Sequence, residues 1–391
     1  MKRPRPPRTP SARRAAGVRT NWSGTATWTP AGHAAPRTEP ELSDLIRRTA
    51  ERGGTLRPIG SGHSFTPVAA TDEIQLPLKH LTGLVSVDPA THRSVFRAGT
   101  PLAVVGKALA EQGLALQNMG DIDRQTLAGA ISTGTHGTGL GLTGFGGTVV
   151  CLRLMLADGS AVTVSAESDT ELFHAARVGP GAFGVITEVE IQCVPAYRLR
   201  CEELLGNTAY AAMCRVGRAV PALQPSLNRA AAWGMPGPAV TDDWHRVYIS
   251  SRRVRFREME YALPLESFAD AMTGVQRILG EARASGHLVG FPVEVRTAAP
   301  DDVWLSTAYG SPRVYIAVHE FFTHGHQPYF GPVERLFVEL GGRPHWGKMH
   351  TLGAAELAGR YPRFADALRV RDRVDPSGVF TNEYVQQVLG R

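Results

Sequence analysis

The segment Asn118–Gly147, NMGDIDRQTLAGAISTGTHGTGLGLTGFGG, constrains this chain of 391 residues more than any other stretch of it. Glycines alternate with Ser and Thr hydroxyls, and the second half carries His136 but no formal charge. A solvated loop of this length ordinarily carries some. Small side chains leave backbone amides approachable, which suits a long, phosphate-bearing cofactor threaded across them. Gly139, Gly141 and Gly144 also satisfy GxGxxG, with Asp158 near the spacing of a ribose-binding acid. That fingerprint needs a strand before it and a helix after it. Here the β-rich run Thr148–Leu156 follows, so the context argues against a Rossmann site.

A second run, Arg57-Pro-Ile-Gly-Ser-Gly-His-Ser-Phe-Thr66, gathers small residues around one histidine after a short strand. Gly60 and Gly62 permit φ > 0 and close approach to a ligand. Consecutive amides in such a turn form an anion-binding concavity, to which Ser61, Ser64 and Thr66 add hydroxyls. Taken alone, the run also reads as a plain Gly/Ser turn.

Around these loops the pattern predicts a helix over Glu39–Arg52 and a strand over Thr55–Ile59. A strand is expected at Ser94–Ala98 and a helix over Leu102–Gln112 capped by Gly113. Val149–Ala157 and Ala161–Val164 read as a hairpin about Asp158-Gly159, and Phe183–Cys193 as a further strand. From Arg198 the texture changes. Helical stretches (Ala209–Val220, Ser267–Ala284) mix with strand candidates at Arg246–Ser250, Phe291–Thr297 and Val314–Phe322. A domain boundary is expected near 196–200, and the turn-rich segment His345–Arg391 is expected to end in a short helix.

The net charge of +6 suggests a nucleic-acid partner until its distribution is considered. Seven basic residues lie in the first twenty positions, with no acidic one; the rest of the chain holds 35 basic against 36 acidic groups. The basicity therefore belongs to a Pro/Arg-rich tail over 1–20, expected to be disordered, rather than to a folded nucleic-acid surface. No apolar run is long enough for a membrane span, and no h-region follows Arg13-Arg14. Cys151, Cys193, Cys201 and Cys214 form no CxxC pair. They suggest reduced thiols of a cytoplasmic protein rather than a disulfide framework, and no metal site is expected.

Together, RPIGSGHSF, NMGDIDRQTLAGAISTGTHGTG, GAFGVITEVEI, HWGKMH and DPSGVFTNEYV resemble the sugar 1,4-lactone oxidase and alditol oxidase group of the vanillyl-alcohol oxidase superfamily. The resemblance covers roughly 20–197 and 345–391 firmly and the middle less well. It implies an α+β chain: a two-subdomain, PCMH-type FAD-binding domain over 21–197, then a cap domain with an antiparallel sheet over 198–344. Residues 345–391 would return to the flavin site. It implies FAD attached through His63 to the flavin 8α carbon, with Ile59, Gly60, Ser61, Gly62 and Ser64 cradling the pyrophosphate. Asp121, Thr126, Gly129, Ser132, Thr133, Gly134 and Gly137 would line the cofactor, with Ile186 near its adenine end.

Strand alternation puts Glu294 and Arg296 on one face of Phe291–Thr297, where a carboxylate and a guanidinium either grip a polyol or form an edge-strand ion pair. The resemblance favours the grip. Tyr315, Ala317, His319 and Phe321 share a face in the next strand, with His319 either a packed residue or a catalytic one. In HWGK the resemblance sets His345 against the flavin and Lys348 at the reacting centre, to stabilise reduced flavin or to act as a base. The implied reaction is oxidation of a hydroxyl of an aldonolactone or alditol, with hydride passing to flavin N5 and O2 or another acceptor reoxidising it. Gly120-Asp121, where alditol oxidase has Ala-Ser, points toward the lactone branch; Phe321, where it has Thr, implies different substrate contacts.

Overall fold

The computed structural model describes residues 17–202, 207–232, 239–249 and 254–390. Most of the expected basic tail lies outside them. Within it, Arg19–Thr20 pairs with Thr27–Trp28, so the expected disorder does not extend to position 20.

The helix Glu39–Glu51 begins on Thr38, whose hydroxyl accepts from the Glu41 amide at 3.3 Å, and it buries Leu42 and Ile46. Leu56–Ile59 lies parallel to Ile74–Pro77, which also pairs with Gly32–His33. The GSGHSF turn leaves the C-terminal end of Leu56–Ile59, where ladder hydrogen bonding stops. Beside this small sheet stands a five-stranded antiparallel one, in the order Ala161–Ser165, Val149–Met155, Val185–Gln192, Arg93–Arg97, Leu84–Asp88. The hairpin about Asp158-Gly159 forms as expected, with Gly159 at φ +80°.

A four-stranded antiparallel sheet follows, in the order Glu294–Ala298, Arg313–Phe321, Phe256–Pro264, Arg343–Pro344. The helices Phe268–Ala284 and Gln327–Glu339 pack together beside it, and Phe337 meets the ring of Tyr261. The α+β architecture is therefore the one expected. Of the strand expected at Arg246–Ser250, residues 246–248 are a turn, because Val240–Asp243 takes the pairing with Arg198–Cys201; Ser250 lies outside the described residues. The long strand Phe256–Pro264 has no counterpart among the expected elements. Past His345 there are three helices rather than one: Ala354–Ala358, Phe364–Val374 and Glu383–Leu389.

The C-terminal segment is tied back to the first loop. The Leu56 amide donates to the Val379 carbonyl at 2.8 Å, and the Phe65 amide to that of Gly347 at 2.7 Å. Arg57, fully buried, donates to the carbonyls of Val68, Pro180, Gly181 and Phe380, welding three segments behind the GSGHSF turn. Burial lowers its pKa to about 10, against the pull of Asp375. Among the described residues, no helix is long and apolar enough to cross a membrane.

Candidate active site

Two cavities meet at His63. The first is a groove lined by Ile59, Gly60, Ser61, Gly62 and Ser64 on one side and by Thr126, Gly129, Ser132 and Thr133 on the other, with Ile186 toward one end. Gly62 adopts φ +69°, and a Cβ on Gly60 would collide with the Thr126 hydroxyl. That hydroxyl caps the helix Leu127–Ser132 by accepting from the Gly129 amide at 3.3 Å. The amides of Ser61, Gly62 and Ser64 have no backbone acceptor among the described residues. Unsatisfied amides in a Gly/Ser turn suit a pyrophosphate, and the apolar walls of Val68, Leu78 and Ile186 suit aromatic rings. The residues present thus fit FAD. Gly134 and Gly137, expected to line the cofactor, sit behind the groove. A Cβ on Gly134 would meet Val178 and Trp346, and one on Gly137 the Asn118 amide.

The second cavity opens from His63 and Ser64 onto the four-stranded sheet. Register decides which side chains meet there. Glu258 is opposite His319, Glu260 opposite Ala317, Glu294 opposite the same Ala317, and Arg296 opposite Tyr315. Directly opposed residues point to one face, so three strands deliver two buried carboxylates, a third at the edge, an arginine and a histidine together. Small Ala317 leaves room between Glu260 and Glu294. Pairing of Arg343–Pro344 with Tyr261 and Ala262 carries the next loop onto the same strand. There the His345 amide donates to the Glu260 carbonyl at 3.0 Å and the Met349 amide to that of Glu258 at 2.9 Å. His345 and Lys348 reach the cavity in this way.

Lys348 Nζ lies 2.5 Å from Glu258 Oε2 and 5.1 Å from the centroid of the Phe65 ring. Arg296 contacts Glu294 directly, lies 3.6 Å from Asp121, and donates to the His136 carbonyl at 3.2 Å. His319 Nε2 stands 3.5 Å from Glu258 and 3.8 Å from Glu294. His136 stacks on Tyr315 at 3.8 Å, with Nε2 3.3 Å from Glu260 and Nδ1 2.9 Å from the Gly137 carbonyl. Burial alone would raise the Glu260 pKa, but His136, Lys348 and His345 outweigh it and hold the carboxyl below the usual range. Burial works against the charge of Arg296, yet Glu294, Glu260, Asp121 and Glu258 raise its pKa. His345, fully enclosed, is pushed down to about 3 by burial and stays neutral.

Of the residues singled out from the sequence, Arg296, Lys348 and His345 line this cavity, while Glu294 and His319 contact lining residues: Glu294 touches Arg296, and His319 faces Glu258. Asp121, expected at the cofactor, lies in this second cavity beside Arg296. Trp22, His136, Glu258 and Glu260 also line this cavity; the sequence motifs reach His136 only as part of its loop and the other three not at all. Glu258 and Glu260 did carry a signal: two acids at i, i+2 in a run otherwise able to form a buried strand. The GxGxxG decoy has a structural role. The Gly139 amide donates to the Thr297 carbonyl at 2.8 Å, and the Ala299 amide to that of Leu142 at 2.9 Å, stapling the loop to the strand that bears Glu294 and Arg296.

A fold with a glycine-walled FAD groove opening onto a charged pocket defines an FAD-dependent oxidoreductase. The FAD binding domain family matches residues 30–165, and the D-arabinono-1,4-lactone oxidase family matches residues 189–388; the chain belongs to the latter family. It is 35% identical to an L-gulono-1,4-lactone dehydrogenase of Mycobacterium tuberculosis, covering 95% of this chain and 98% of that protein. It is 27% identical to an L-gulonolactone oxidase of Scyliorhinus torazame, over 94% and 97% of the two chains. Cholesterol oxidase from B. sterolicum shares the fold, with a TM-score of 0.81 at 14% identity and 99% coverage of both chains.

Proposed function

We propose that this enzyme oxidises a hydroxyl-bearing carbon of an aldono-1,4-lactone, with alditols as the competing substrate class, and holds FAD covalently through His63. The observation that carries the reading is the row Arg296, Glu260, Glu258 and Lys348 along one wall of a cavity that joins the FAD groove at His63. A guanidinium and an ammonium donate to hydroxyl or lactone oxygens while carboxylates accept from hydroxyls, so a small polyhydroxylated molecule is gripped from both sides. The Gly120-Asp121 pair and the lactone-acting names of the relatives support a lactone over an alditol. FAD supplies the two-electron acceptor, taking hydride at N5. Arg296, fixed by Glu294 and Asp121, orients the substrate, and Lys348 places a positive charge where negative charge develops. Residues 21–197 serve in this proposal as the FAD-binding domain, 198–344 as the cap and 345–391 as the returning segment. The four cysteines are free thiols, in keeping with a cytoplasmic setting.

The test is bleaching of the flavin absorbance near 450 nm, under anaerobic conditions, by a panel of aldonolactones and alditols. Bleaching by alditols alone overturns the lactone reading, and bleaching by neither overturns the substrate class. O2 is the proposed acceptor; peroxide release measured against dye reduction separates this from a dehydrogenase that delivers electrons to a cytochrome or quinone. Acid precipitation tests the His63 bond: yellow colour left wholly in the supernatant means that the bond is absent.

A further inference from the structure

We propose that Glu258 is the general base for the substrate hydroxyl, and that Lys348 is its ammonium partner rather than the base. This rests on the reading above that the cavity receives a sugar-type hydroxyl.

The geometry narrows the choice. Lys348 Nζ forms an ion pair with Glu258 Oε2 at 2.5 Å, and an ammonium has no lone pair with which to accept a proton. Glu258 also lines the cavity, while 4% of its side chain reaches solvent. The other carboxylates are already engaged. Glu260 is gripped by His136 and held below the usual range, which makes it a weak proton acceptor. Asp121 and Glu294 both pair with Arg296, and Glu294 is not among the residues that line the cavity. Glu258 further receives His319, whose Nε2 faces it at 3.5 Å while Nδ1 has no partner among the described residues. The ring proton therefore belongs on Nε2, between Glu258 and Glu294. His319 is a positioning residue: it faces Glu258 Oε1 while Lys348 holds Oε2, which fixes the carboxylate in the cavity wall that the substrate hydroxyl would meet.

The balance closes with the acceptor that the enzyme already uses. The substrate C–H bond breaks with its electron pair leaving as hydride to FAD. The O–H electron pair becomes the second carbon–oxygen bond of the product, and the proton stays on Glu258 until solvent removes it. Lys348 keeps its proton throughout.

Three variants of the holoenzyme separate the roles. In Glu258→Gln, flavin reduction by an aldonolactone should slow by about 10²–10⁴-fold, the range for loss of a general base. The acid limb of its pH profile should vanish, and formate should restore part of the rate in Glu258→Ala. In Lys348→Met the rate should fall while the acid limb persists. Loss of the limb in Lys348→Met, or near-normal reduction in Glu258→Gln, overturns the assignment. A readout independent of turnover is sulfite affinity, followed by loss of the 450 nm band. Removing the Glu258 charge leaves the Lys348 ammonium uncompensated, so sulfite should bind more tightly in Glu258→Gln and more weakly in Lys348→Met. A Glu258 that merely props Lys348 predicts weaker sulfite binding in both. If the wild type is bleached by no lactone or alditol, the substrate reading has failed, and the sign of the sulfite shift still decides the Glu258–Lys348 pairing.

Discussion

The two cavities that meet at His63 recognise their ligands by opposite means. In the proposed reading the groove would hold FAD through backbone: amides of Ser61, Gly62 and Ser64, glycines at 60 and 129, and a capped helix start at Thr126. The neighbouring pocket works through side chains, with Asp121, Glu258, Glu260 and Glu294 arrayed against Arg296 and Lys348. A backbone site is spoiled by an added atom. A charge network is spoiled by a removed one, because the abandoned partner stays buried and uncompensated.

The largest effect expected from breaking this contrast is in the groove. Gly60→Val puts side chain where Thr126 stands, and such overpacking typically costs about 1–3 kcal/mol before the cofactor is considered. The protein should purify colourless, with flavin content measured by its absorbance near 450 nm relative to 280 nm. Normal flavin content would show that this wall does not approach the cofactor. Next comes Arg296→Leu, which should keep FAD but slow its reduction by about 10²–10³-fold, as expected when one electrostatic contact to the reacting group is lost. Stopped-flow absorbance checks it, and loss of FAD instead would mean that the two regions are not separable. A smaller effect is expected at their seam. Gly139 has φ +147° and packs against Leu142, so Gly139→Val strains the staple to Thr297. Activity should fall by roughly 10-fold as a slight misplacement of Arg296 spreads from outside the site, with flavin content unchanged.

The same contrast explains what was legible in the sequence. The groove is local: GSGHS and the Asn118–Gly147 loop each gather their glycines and hydroxyls within a few residues, so composition alone exposed them. Glu294 and Arg296 were readable because they alternate within one short strand. Glu258 and Glu260 alternate with Met259 and Tyr261 in the same way, but acids so patterned read as the solvent side of a strand, whereas this strand is buried on both faces. Their meaning comes from partners far along the chain: His136, His319 and Lys348. The resemblance sets Asp121 at the cofactor, and its partner 3.6 Å away, Arg296, lies far along the chain, so no local pattern announces the pair. Gly139-x-Gly141 was likewise a sequence match whose use is set by a distant strand.

Acid should sharpen the contrast last and most gently. Among the described residues no carboxylate lines the groove and its backbone amides do not titrate, so with the His63 ring tied up in the proposed flavin bond, flavin retention should stay flat between pH 6.5 and 4. The pocket and its surroundings behave otherwise. His345 and His350 are pushed by burial to about 3 and about 4, and His350 Nε2 lies 3.0 Å from the Tyr384 hydroxyl. A histidine whose folded pKa is depressed binds fewer protons than the unfolded chain between the folded value and about 6.5. Its contribution is therefore complete above pH 6.5 and is lost as pH falls toward 4, at up to about 1.4 kcal/mol per pH unit. Asp301 acts in the opposite sense: burial raises it to about 6, so the fold regains stability as pH drops through that value. His350→Leu removes one acid-sensitive term and leaves Asp301 untouched. Its melting temperature should accordingly fall less than that of the wild type between pH 6.5 and 5, by about 2–4 °C. An unchanged pH slope in scanning calorimetry would show that His350 is protonated in the folded chain and that the interior beside Lys348 is more polar than its packing implies.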